Sequence, residues 1–100
     1  MSMVMYEKMI EEILFIASQE SQIDRVYGIG SYFRNDNFND IDLVFVIHDD
    51  YDDIQDYIRF RSKLINISSH FEVKVDIIIL TRDEFRQRPL KDMKGLKVLL

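Results

Sequence analysis

The sequence predicts a small α/β (α+β) domain over residues 1–100, a mixed sheet of three or four strands covered by helices. Three observations carry that expectation. Helical and strand periodicities alternate along the chain. The run DIDLVFVI (40–47) is too rich in β-branched and aromatic residues on both faces for an edge strand, and reads as a central one. Finally, 100 residues with 47% hydrophobic and 31% charged side chains suffice for one core, since a chain of this size buries roughly 60–65% of its unfolded surface.

From the N-terminus, Val4/Met5, Met9, Ile13 and Ala17 recur at helical spacing, with Ile10 and Leu14 beside them and Glu7, Lys8, Glu11 and Glu12 opposite. This predicts a helix over 3–18, with Met1, Met3, Met5 and Met9 marking its start and packing face. RVYGIG (25–30) reads as a short strand that ends at Gly30-Ser31 and turns into a short helix. After the central strand, HDDYDD (48–53) opens a second helix that runs to Ser68, its acids Asp49, Asp50, Asp52 and Asp53 solvated where the macrodipole favours them. Its inward set is expected at Ile54, Tyr57/Ile58, Arg61 and Leu64/Ile65. EVKVDIIIL (72–80) is a third strand with Val73, Val75, Ile77 and Ile79 on one face and Lys74, Asp76, Ile78 and Leu80 on the other. TRDE (81–84) fits a capping box that opens a last helix, bounded by Pro89 and followed by a tail to Leu100.

Composition excludes several functions. Without cysteine there is no disulfide framework, thiolate chemistry or cysteine zinc site, which fits a reducing compartment. No apolar run reaches the length of a membrane span, and the acid-bearing start lacks a basic leader, so a cytoplasmic protein is expected. A net charge of −5 argues against direct nucleic-acid binding. It still permits a nucleotide whose phosphates are neutralised by metal ions. His48 and His70 are too isolated to form a metal pair. NDNFND (35–40) imitates a calcium loop but lacks the glycine at its sixth position.

The stretch GIGSYF (28–33) is neither a dinucleotide fingerprint, since Phe33 stands where a third glycine belongs, nor a P-loop. What remains is a glycine that lets the backbone approach a ligand and a helix start whose amides attract anions. Ser31 adds a hydroxyl donor, and Arg34, one helical turn on, a cation. A turn glycine followed by an N-cap serine is the competing reading.

Asp40 and Asp42 are two apart at the start of a strand, so they leave the same face. Two such charges about 6 Å apart repel by roughly 3 kcal/mol at an effective dielectric near 20. A divalent metal with oxygen ligands relieves this, and magnesium suits; a solvated strand end is the alternative. Asp76 sits in VKVDIIIL, where burial of an unpaired carboxylate is costly and calls for a cation or a metal. If its strand lies beside that of Asp40 and Asp42, the three carboxylates converge. The alternative is an ion pair with Lys74 or an arginine.

Taken together, Gly30-Ser31, the step to Asp40-Ile41-Asp42-Leu43 and a third aspartate on a later strand resemble the DNA polymerase β-type nucleotidyltransferase superfamily, above all its minimal bacterial nucleotidyltransferases. The resemblance spans residues 28–80. It implies the polymerase-β-like nucleotidyltransferase fold, with Gly30, Ser31 and Arg34 holding the triphosphate of ATP. It further implies Asp40, Asp42 and Asp76 as catalytic metal ligands for two Mg2+ ions, Asp76 beside the attacking hydroxyl. The sequence departs from the common Ala-Arg-Gly at Phe33-Arg34-Asn35, and Asn39 replaces a common serine. Both changes bear on nucleotide choice and rate.

Larger members bind the acceptor with extra domains, for which this length leaves no room, so the cleft is expected to be open or completed in a homo- or hetero-oligomer. Minimal members are commonly paired with a small helical HEPN-type ribonuclease toxin, which they silence as antitoxins by AMP transfer (AMPylation). The resemblance therefore implies AMP transfer to a hydroxyl of such a partner. Two alternatives stand beside it: a non-catalytic antitoxin that acts by occlusion, and a transferase acting on a small molecule such as an aminoglycoside or on a tRNA end.

Overall fold

A computed structural model of the chain describes residues 3–34, 40–49, 54–71, 73–87 and 96–100, the side chains of 3–5, 31, 34 and 54 excepted. Helix α1 (Met3–Ser18) buries Met9, Ile10, Ile13 and Ala17 and exposes Glu7, Lys8, Glu11 and Glu12, as its spacing predicts. Strand β1 (Ile23–Ile29) runs antiparallel to β2 (Asp40–Ile47), and a 3₁₀ turn (Ser31–Arg34) lies between them. Helix α2 (Ile54–Ser68) then carries the chain across to β3 (Lys74–Thr81), which pairs parallel with β2. Such a parallel return requires a crossover, here a helix.

Thr81 ends β3 and caps α3 (Arg82–Arg86): its hydroxyl accepts from the Glu84 amide, and the Glu84 carboxylate accepts from the Thr81 amide. The predicted capping box is formed. The expected C-terminal tail is in part a strand: β4 (Lys97–Val98) pairs antiparallel with β1, giving the order β3-β2-β1-β4. Two residues in contact with solvent carry too little periodicity to mark a strand; the free side of β1 supplies the pairing.

The run DIDLVFVI is the central strand that its composition requires. Ile41, Leu43 and Phe45 face α1 and α2, where Phe45 meets Phe60 edge-on at 5.4 Å. Val44 and Val46 face the other way, with Ile29, Leu80 and the partly buried Tyr27, Ile78, Phe85 and Leu96. The inward face of α2 follows the expectation at Leu64 and departs from it at Ile58, Arg61 and Ile65. Phe60 and Leu64 are buried, with Ile67 packed against them, whereas Ile58, Arg61 and Ile65 are exposed. Both sets have helical spacing, and the aromatic–aliphatic one matches the apolar face of the sheet. Among the described residues no helix is long and apolar enough to cross a membrane.

Candidate functional site

The face opposite α1 and α2 has two parts. Toward the C-terminal ends of β2 and β3 it is apolar; on their first rungs it carries acids. Asp42 pairs directly with Asp76, and Asp40 with Lys74, in the parallel register. Residues on one rung of a parallel pair point to the same side, so Asp40, Asp42, Asp76 and Lys74 share one patch. One carboxylate oxygen from each aspartate lies within 4.8 Å of the others, all three side chains being half-buried.

Asp76 is more open than its apolar neighbours suggest. Its side chain is 38% exposed, because β3 is the outermost strand. It also has an ion-pair partner, with Lys74 Nζ 3.4 Å from Oδ1. The two readings of Asp76, convergence with the other acids and pairing with Lys74, are thus compatible: Lys74 supplies one positive charge to a patch of three negative ones. The sequence offered Lys74 only as a partner of Asp76; the register sets it opposite Asp40 as well.

Gly30 follows β1 directly, and Ile29 pairs with Asp42. Its φ of +86° is a left-handed conformation that side chains disfavour, and a β-carbon there would lie 2.6 Å from Asp42 Oδ2. The absent side chain therefore leaves room for a carboxylate. Gly28 has its own reason: a β-carbon would collide with the Phe33 ring at 2.6 Å. Phe33 thus folds back over the strand, edge-on to Tyr32 at 4.9 Å. The residue that breaks the dinucleotide fingerprint is the one that Gly28 accommodates. Ser31 and Arg34 bracket the 3₁₀ turn that leaves this point, and the contacts expected of their side chains lie outside the described residues.

Arg61 and Ile65 of α2, with Asp42, Asp76 and Ile78, line a cleft of about 380 Å3 beside the acids. Asp49 is exposed, as expected of a solvated cluster, and it also accepts from the Asp83 amide at 2.9 Å and lies 3.6 Å from Arg86, tying it to α3. Asp50, Asp52 and Asp53 lie outside the described residues. His48 is half-buried beyond the end of β2, and its amide donates to the Gln22 carbonyl; His70 is exposed.

Three hard oxygen donors this close fit a divalent ion such as magnesium. The chain also matches the family model for the polymerase beta nucleotidyltransferase domain over residues 11–96. No curated protein matches it. Solved structures are similar as well, two of them as follows. One, from Sulfolobus solfataricus and provisionally named a nucleotidyltransferase, is 27% identical, with 93% of this chain and 86% of that one covered and a TM-score of 0.58. A second, also provisionally named a nucleotidyltransferase, is 24% identical, with 91% and 97% covered and a TM-score of 0.66. The second likeness concerns the fold alone.

Proposed function

The chain belongs to the polymerase β-type nucleotidyltransferase family, and we propose that it moves AMP from ATP to a hydroxyl group on a protein acceptor. The observation that carries this reading is the convergence of Asp40, Asp42 and Asp76 within 4.8 Å at the end of a glycine turn. The acceptor oxygen bonds to the α-phosphorus as the bond from that phosphorus to the bridging β-phosphate oxygen breaks, and pyrophosphate leaves. Bound magnesium supplies neutralisation of the phosphate charge and of the carboxylates.

The residues divide the remaining work. Asp40 and Asp42 hold the metal-binding edge from the central strand. Asp76, on the outermost strand, lies where an acceptor can reach and takes the hydroxyl proton. The Gly30 turn brings backbone close to Asp42, so a triphosphate and the acids meet there; Ser31 and Arg34 follow as its donor and cation. A small helical HEPN-type toxin is the acceptor that the family resemblance suggests, which makes the protein an antitoxin in this reading.

The test is transfer from ATP labelled at the α-phosphate in the presence of magnesium, comparing the protein with its Asp40→Asn/Asp42→Asn variant. Label on a protein acceptor with the unaltered chain alone supports the proposal. Equal labelling by both forms contradicts it.

A further inference from the structure

β3 is the last strand on its side of the sheet, eight residues long, without proline and in unbroken register with β2. Among the described residues no backbone hydrogen bond reaches its outer side. Every second residue of such a strand turns its N–H and C=O outward, a template for another strand. α3 lies over the face of the sheet rather than along this edge, with Phe85 stacked on Tyr27 of β1 at 4.8 Å.

The flank of that edge is apolar. Ile58 and Ile65, seven apart on α2, are 55% and 51% exposed, with Arg61 between them. Two clefts of about 270 and 380 Å3 lie along the edge and share Arg61: one holds Ile58, Ile79 and Thr81, the other Ile65, Ile77 and Asp76. The groove therefore runs along the strand and ends at the acids.

We infer that the hydroxyl acceptor is an extended polypeptide segment that adds to the outer edge of β3 as a further strand and so lays its hydroxyl side chain over Asp76. This rests on the nucleotidyltransferase reading and names the form in which its acceptor arrives. Alternate side chains of the segment would meet Ile58 and Ile65 on one face and the acid patch on the other, because strand side chains alternate. Charge selects this occupant over a second copy of the chain. A two-fold pairing of β3 with itself keeps the faces aligned, so it sets one acidic triad and one Arg61 on the same side as their copies. A neutral or basic segment complements the acids.

The probe is a pooled library of decapeptides with a central tyrosine, serine or threonine and randomised flanks, incubated with the protein, magnesium and ATP labelled at the α-phosphate. Labelled peptides are sequenced, and amide exchange in β3 is measured with them bound. The Ile58→Glu variant, altered only at an exposed position outside the cleft beside the acids, is checked by thermal unfolding and for binding of magnesium with a non-hydrolysable ATP analogue. We expect labelled peptides rich in β-branched residues and free of proline, slowed exchange at alternate β3 amides, and a labelling loss of at least about tenfold in the variant with analogue binding unchanged. Labelling without β3 protection, labelling indifferent to the variant, or no labelled peptide despite analogue binding overturns the inference. So does β3 protection that grows with protein concentration alone, which marks a second copy there. Failure of analogue binding itself removes the nucleotidyltransferase reading, a result distinct from all of these.

Discussion

Asp42 and Asp76 occupy the same rung of the parallel ladder between β2 and β3, and Asp40 stands one alternation away, opposite Lys74. Two acids on one rung gain nothing from each other, so a cation should stabilise the fold measurably. With magnesium at 100 times its dissociation constant, linkage adds about 2.7 kcal/mol. For a domain of this size that raises the melting temperature by roughly 10–20 °C, taking about 4–8 °C per kcal/mol. Asp42→Asn should abolish the magnesium-dependent rise, read against that variant's own metal-free melting temperature. Differential scanning fluorimetry across a magnesium titration reads both.

Gly30 should tolerate no side chain. Its φ of +86° costs an L-residue about 1–2 kcal/mol, and the added β-carbon displaces the Asp42 carboxylate, 2.6 Å away. Gly30→Ala is expected to lower the urea midpoint and to weaken Mn2+ binding, followed by electron paramagnetic resonance. A variant that loses stability but binds Mn2+ normally would show that the turn is structural only.

Lys74 offsets part of the charge that a metal would neutralise. Its pair with Asp76 is largely solvated, at 72% and 38% side-chain exposure, so Lys74→Met should change stability by no more than about 1 kcal/mol. Metal affinity should rise, by about tenfold, because a cation a few ångströms away no longer repels the ion. Isothermal titration with Mn2+ decides it; Lys74→Arg should behave as the unaltered protein does.

α3 is fastened by Asp24 and Arg82 across the sheet, with Nε 3.1 Å from Oδ2 and Nη2 3.0 Å from Oδ1. The Arg82 hydrogen bond holds the Asp24 carboxyl below its ordinary pKa. A depressed folded-state value means that the contribution is complete above the unfolded value, near pH 4, and disappears as pH falls through the folded one. Arg82→Met should therefore cost about 0.5–1 kcal/mol at pH 7 and much less at pH 2.5. Chemical denaturation at the two pH values gives the difference.

Local chemistry in the sequence determined much of this protein. The apolar period of α1, the doubly apolar DIDLVFVI and the Thr81–Glu84 capping box each act within a few residues, so each is legible without the fold. The convergence of the acids was legible only as a condition, that the strand of Asp76 lie beside that of Asp40 and Asp42. The tertiary structure met that condition, because a parallel crossover sets Asp76 on the rung of Asp42. It also decided what spacing leaves open. Spacing left neighbouring stripes of α2 open, and packing against Phe45 chose Phe60 alongside the expected Leu64, leaving Ile58 and Ile65 outside. Asp76 is half-exposed because its strand is at the edge, and Gly30 is a glycine because Asp42 comes so near. These are contacts between residues distant in the chain, and pairing between strands, not propensity within them, fixes such contacts.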